Sequence, residues 1–218
     1  MKHHLGLDDL YRFLASQHRK LPADQRDRMH AYLDLILHWS VKQNLVSGHD
    51  LPHLVERHFL PSLFLDACLP ENLTGDLMDL GSGAGFPGVL IAIMRPELPV
   101  TLLDASRKKT LFLEEVCDQL TLNCRVVCER CEIYAQKTDQ KYQTIVARAV
   151  ARTDKLLIWT RLLQGRGNVL YAMKGGDEKG EAAESAYSGG SYTIFRPGAD
   201  WTVFSGFMRH KYILRVER

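Results

Sequence analysis

The sequence predicts an α/β protein: a doubly wound, mostly parallel sheet of seven strands behind a helical N-terminal extension. Three observations lead there. Beyond residue 76, short apolar runs alternate with amphipathic stretches, the signature of a parallel sheet. The first run, Leu77-Met-Asp-Leu80, opens directly into a turn with four glycines between Gly81 and Gly88. Residues 1–66, by contrast, carry helical spacing only.

In the extension, Leu7, Leu10, Tyr11 and Leu14 fall on one helical face. Pro22 and the acids after it suit a second helix start. Met29, Tyr32, Leu33, Ile36, Leu37 and Val41 then form an apolar stripe, which Ser47-Gly48 is expected to stop. A third helix is expected from Pro52 through Leu54, His58, Leu60 and Leu63. The chain divides into an extension over 1–70 and a sheet domain over 71–218.

In the sheet domain, strands are expected near 77–80, 100–104, 125–128, 144–149 and 167–173, and helices near 87–94, 106–121 and 154–163. Tyr192–Phe195 and Tyr212–Val216 suit a final antiparallel hairpin. The Gly175–Glu181 run reads as a surface loop.

The composition excludes several classes. No apolar run approaches the roughly 20 residues of a membrane helix, and the N-terminus lacks the apolar stretch of a signal peptide. A cytoplasmic protein is therefore expected. A formal charge of +2 permits a nucleic-acid partner without demanding one. Five cysteines, Cys68, Cys117, Cys124, Cys128 and Cys131, argue by their odd number against a disulfide scaffold. Cys128-x-x-Cys131 has no second pair at zinc-site spacing, so these thiols read as small hydrophobes and no metal is expected.

The glycine turn carries the chemistry. Glycine admits positive φ and close ligand approach, and a strand that ends in such a turn and opens a helix binds nucleotide-like cofactors. A dinucleotide loop is spaced G-x-G-x-x-G, whereas Gly81-x-Gly83-x-Gly85 is G-x-G-x-G. Pro87 also removes an amide that a phosphate would use. S-adenosylmethionine has no phosphate. It needs close backbone approach, an acid or water network at its amino-acid end and an acid for its ribose. Asp79 suits the first acid, and Asp104, closing the next apolar run, suits the second.

Gly81-Ser-Gly-Ala-Gly-Phe-Pro-Gly88, followed by Ile91-Ala-Ile-Met-Arg95-Pro96, closely resembles the bacterial small-subunit ribosomal RNA guanine-N7 methyltransferases, the glucose-inhibited division protein B family. The resemblance runs on through Leu102-Leu-Asp104-Ala-Ser-Arg-Lys-Lys109, Arg130-Cys-Glu132, Val146-Ala-Arg148-Ala149 and Tyr171-Ala-Met-Lys174-Gly175. Trp39, Asn44-Leu45 and Arg57-His58 match in the extension. It implies a Rossmann-like methyltransferase domain, S-adenosylmethionine as cofactor, and 16S ribosomal RNA or the small subunit as partner. It also implies cofactor contacts at Gly81, Phe86, Asp104, Ala105, Ser106, Cys131, Glu132 and Arg148. Gly83 and Gly85 complete the loop. Taken alone, Glu132 reads as a surface acid and Phe86 as core packing.

The chain departs from the family at His58-Phe-Leu-Pro61-Ser62, where His-x-x-Asp-Ser is common; proline there removes an amide donor. Arg148 is a candidate wall between cofactor and target base, with a plain salt bridge as the other reading. Lys174 on the same rim suits an RNA phosphate or a solvated lysine. Arg148 and Lys174 are the candidate catalytic residues. Arg107, Lys108 and Lys109 oppose the dipole of their helix and, with Lys174, are candidate RNA contacts; Arg19, Lys20, Arg26 and Arg28 could extend that surface. Two alternatives stand beside this reading: a methyltransferase for a small molecule or protein, and a non-catalytic RNA-binding or ribosome-assembly factor. A dinucleotide oxidoreductase is disfavoured by the loop spacing.

Overall fold

The computed structural model describes residues 4–176 and 191–217. The extension comprises α1 (Leu7–Ser16), α2 (Ala23–Lys42), a 3-10 turn (Leu51–His53), a π turn (Val55–Phe59) and α3 (Leu60–Cys68). The sheet domain follows as β1 (Leu77–Leu80), α4 (Gly88–Met94), β2 (Val100–Asp104), α5 (Arg107–Gln119), β3 (Cys124–Cys128) and α6 (Cys131–Lys137). It continues through β4 (Tyr142–Arg148), α7 (Thr153–Thr160) and β5 (Gln164–Gly175). It closes with β6 (Ser191–Phe195), α8 (Ala199–Phe204), a second 3-10 turn (Gly206–His210) and β7 (Lys211–Glu217).

The seven strands form one sheet in the order β3-β2-β1-β4-β5-β7-β6. Strands β1 to β5 pair in parallel, with Leu77 beside Val100 on one side and Thr144 on the other. The expected hairpin forms, β7 running antiparallel to both β5 and β6. Strand order reverses on either side of β1. The gap between the carboxyl ends of β1 and β4 is thus the switch point where open sheets bind ligands.

Side chains alternate across the sheet and divide the core. Leu77, Leu102, Val146 and Tyr171 pack with residues of α1 to α5. Met78, Leu103, Ile145 and Leu170 face the layer that holds Tyr134 of α6 and Leu156 of α7. The N-terminal helices therefore share one apolar layer with α4 and α5. Within the α2 stripe, Met29, Tyr32 and Ile36 are buried, but Leu37 and Val41 are exposed.

Several boundaries differ from expectation. Helix α2 ends at Lys42, with Gln43 already extended, well before Ser47-Gly48. The third helix is not regular. Pro61 has no N–H to bond the Arg57 carbonyl four residues back, and the chain preceding it widens into the π turn, where Leu60 N donates to Val55 O. Strands β4 and β5 begin before their apolar runs, with a register irregularity between Tyr142 and Thr144. Helices α6 and α8 lack a sequence signal, being only 7 and 6 residues long. Residues 177–181 of the expected surface loop lie outside the described residues.

A buried carboxylate ties the extension to the sheet domain. Asp66 in α3 is fully buried, receiving Arg19 Nη2 at 2.5 Å and Arg95 Nε at 2.7 Å. Arg95 also donates to the Asp66 and Pro70 carbonyls. Removing the charge from such a node strands two guanidiniums that remain partly solvated. Asp66→Asn is expected to lower unfolding free energy by about 2–3 kcal/mol in urea titrations; a change below about 0.5 kcal/mol would contradict this tie.

Candidate active site

The glycine turn crosses the switch point, and the strands beneath it hold it in place. Gly81, Gly83 and Gly85 all take positive φ, at 73°, 60° and 94°. A Cβ on Gly81 would lie 2.5 Å from Val150, and one on Gly85 2.6 Å from the Tyr32 hydroxyl. Asp79, wholly buried at the end of β1, accepts the Gly88 amide on Oδ2 at 2.8 Å. Asp104 accepts Gly83 N on Oδ2 at 2.9 Å and Ser106 N on Oδ1 at 2.8 Å. From the extension, the Tyr32 hydroxyl donates to the Ala84 carbonyl at 2.5 Å. Three elements thus fix one turn.

Two cavities flank the loop that leaves β4. The first, of about 220 Å3, is lined by Gly81, Asp104, Ala105, Cys131, Glu132, Val150 and Trp159, among others. The second, of about 250 Å3, lies beyond Arg148 and Ala149, with Lys174 on its wall.

The first cavity fits an adenosine moiety. Gly81 gives it bare backbone, Asp104 keeps lone pairs beyond the two it uses, and Leu80, Leu103, Val150 and Trp159 add apolar surface beside Glu129, Arg130 and Glu132. Two buried groups close to the turn have no hydrogen-bond partner, Asp79 Oδ1 and Arg148 Nη1. The Asp79 oxygen, lacking a donor, suits the ammonium of an amino acid.

The electrostatics follow from burial. Desolvation pushes the Asp79 carboxyl up to about 7, against the Gly88 amide that stabilises its charged form. Burial also draws Arg148 down to about 10, leaving it a cation at neutral pH. His58, buried and beside the Arg148 charge, falls to about 4. It is a neutral packing ring, 5.0 Å from Phe86.

The expected site residues divide into groups. Gly81, Asp104, Ala105, Cys131 and Glu132 meet at the first cavity, and Arg148 and Lys174 at the second. Gly83, Gly85 and Ser106 shape the turn without lining either cavity. Phe86 is buried against Tyr32 and Phe59, with the Arg148 guanidinium 5.9 Å from its ring centre. Among the described residues Arg148 makes no salt bridge; its Nη2 donates to the Arg57 carbonyl at 2.8 Å, to which Pro61 offers no amide. Lys174 is half-buried and donates to Ala151 O at 2.9 Å. Arg107 pairs with Glu114 at 2.9 Å and Lys109 lies 4.0 Å from Asp104, while Lys108 is exposed. Cys131 is buried and its thiol is pushed up to about 12. Among the described residues, no group of three His, Cys, Asp or Glu could hold a metal ion, and no helix is long and apolar enough to cross a membrane. Tyr32, Val150 and Trp159 had no sequence signal as site residues, because only tertiary packing brings them to the turn.

The strand order, the glycine turn at the switch point and the acid ending β2 define an S-adenosylmethionine-dependent methyltransferase. Solved structures share the architecture. The plantazolicin methyltransferase BpumL in complex with SAH superposes with a TM-score of 0.57 at 13% identity, covering 90% of this chain and 99% of that one. A precorrin-6y C5,15-methyltransferase from Geobacter metallireducens gives 0.56 at 8% identity, over 81% and 93%. A protein-family model described as GidB, rRNA small subunit methyltransferase G, matches residues 25–189. Proteins named ribosomal RNA small subunit methyltransferase G match closely in sequence. That of Halorhodospira halophila is 37% identical over 165 residues, 76% of this chain and 77% of the relative. That of Pseudomonas aeruginosa is 40% identical over 157 residues, 71% of each. The chain belongs to the GidB family.

The raised Asp79 carboxyl has a consequence for stability. Its folded value lies above the unfolded one near 3.9, so the native state binds the extra proton between about pH 4 and pH 7. Stability contributed by that proton declines as pH rises through this window and levels off above it. Asp79→Asn is expected to flatten the decline in denaturant titrations at about pH 4.5, 6 and 7.5; an unchanged slope would contradict the assignment.

Proposed function

We propose that this protein transfers the methyl group of S-adenosylmethionine to N7 of a guanine in 16S ribosomal RNA, acting in the cytoplasm on the RNA or the small subunit. The observation that carries this is the pair of cavities on either side of the Arg148 to Ala151 loop. One is walled by the glycine turn and Asp104; the other is walled by cations.

Bound S-adenosylmethionine supplies a methyl group on a positively charged sulfur. Gly81 would admit the cofactor against bare backbone in a turn that Gly83, Gly85 and Ser106 shape, while Ala105, Cys131 and Glu132 would border the adenine and Asp104 the ribose. Asp79 Oδ1 would take its ammonium group, and Phe86 holds the turn from below. Guanine N7 offers an in-plane lone pair and carries no proton. A C–N bond forms as the S–C bond breaks, the positive charge passes from sulfur to the purine, and no proton leaves. A general base is therefore unnecessary, and catalysis rests on in-line positioning and the local field. Arg148 stands between donor and acceptor as the positioning cation. Lys174, with Arg107, Lys108 and Lys109 along the same edge, faces RNA phosphates. A small-molecule acceptor gives no reason for such a rim.

N7-methylguanosine makes a strand labile. Small-subunit RNA incubated with this protein and S-adenosylmethionine is expected to break at one position after borohydride and aniline treatment. Methylated RNA that resists this cleavage would assign the methyl group to another atom.

A further inference from the structure

A second cavity adjoins the one beside Arg148. It measures about 260 Å3 and is lined by Arg196, Pro197, Arg209, His210, Lys211 and Tyr212, with Gly176. Lys211 lines both cavities, so they meet at the start of β7. The first adds Arg57, Arg148 and Lys174 to this charge. Among the described residues, neither wall includes an Asp or a Glu. For a chain with 28 basic and 26 acidic residues, such segregation does not follow from composition.

Phe207, on the 3-10 turn Gly206–His210, lines the Arg148 cavity. Lys211 Nζ lies 4.4 Å from its ring centre and the Arg57 guanidinium 6.0 Å away. The turn is anchored at its start. Ser205 Oγ accepts Phe207 N at 3.2 Å and donates to Glu56 Oε1 at 2.7 Å, which fixes the ring against the extension. Burial first, and then the charge of Arg148, lower the Lys211 pKa. Asp50, which pairs with Arg57 at 2.6 Å, lies outside both walls.

We propose that these joined cavities are the acceptor site: the Arg148 cavity receives the target guanine against Phe207, and the Arg196–Arg209 cleft holds the phosphate of the adjoining nucleotide. The inference rests on the ribosomal RNA reading and adds the C-terminal hairpin as its recognition element. An aromatic face beside a positively charged groove is the usual platform for an unstacked base. Arg148 also brings a buried donor, Nη1, with no partner in the protein. A purine presenting N7 to the methyl group carries O6 alongside it in guanine, but an amino group in adenine. A guanidinium wall accepts the first and opposes the second.

The test uses the intact protein saturated with S-adenosylhomocysteine, with GMP and AMP as calorimetric probes. GMP is expected to bind at least ~10-fold more tightly than AMP. Phe207→Ala should weaken GMP by ~10-fold and Phe207→Trp should recover it, with S-adenosylhomocysteine affinity unchanged in both. In methyl transfer to small-subunit RNA, Arg196→Glu with Arg209→Glu should raise KM by ~10-fold or more, leave kcat within ~3-fold and reduce the salt slope by about one. If the double variant melts early, Arg209→Gln at an exposed position carries the same test with a smaller slope change in the same direction. Equal GMP and AMP affinities, no binding of either, or an unaltered RNA KM and slope would overturn the site. Wild-type protein that transfers no methyl group to RNA would instead remove the substrate reading, whatever the nucleotides do.

Discussion

Two carboxylates that leave neighbouring strands hold the glycine turn open. Asp79 ends β1 and takes the amide of Gly88, and Asp104 ends β2 and takes the amide of Gly83. Together they clamp both halves of a turn that has no secondary structure of its own. Glycine is needed where the clamp leaves least space: side chains would strike Val150 at position 81 and Tyr32 at position 85. Burying Asp79 for this purpose raises its pKa, so the residue that shapes the turn is also the one most poorly solvated.

The N-terminal helices complete the clamp rather than merely covering the sheet. Tyr32 reaches the turn from α2, and the π turn preceding α3 presents the Arg57 carbonyl to Arg148. Pro61 accounts for this second contact. Proline at this position supplies no amide to that carbonyl, which accepts from Arg148 instead. Arg148 is thereby fixed on one nitrogen and left unpaired on the other, at the boundary between the cofactor cavity and the acceptor cavity.

Much of the sheet could be read directly from the sequence. Buried parallel strands are short apolar runs, and Asp79, Asp104 and Arg148 mark their carboxyl ends because polar residues are tolerated only where the strand leaves the core. The mostly parallel sheet of seven strands and the final hairpin followed, whereas the strand order emerged only in the structure. Helix α6 holds too few turns for a periodic signal, and unlike α4, equally short, it has no glycine turn before it to mark its start. Phe86 was expected at the cofactor edge, yet it packs beneath the turn. The reason is tertiary: Tyr32, His58 and Phe59 arrive from a distant segment and enclose it. Val150 and Trp159 likewise line the cavity only through packing between α6, α7 and the β4 loop. Charge alone drew attention to Arg107 to Lys109, whereas the segregation of cations on the β7 rim emerged only when distant segments came together.

Calorimetric titration of S-adenosylhomocysteine into the wild-type protein and into Gly81→Asp tests the cofactor site most directly, with thermal melting to establish that both are folded. One-site binding to the wild type and no detectable heat with the folded variant is the predicted result. Equal affinity in the two proteins would show that the cofactor does not rest on the glycine turn, and the account built on the Asp79 and Asp104 clamp would fall with it.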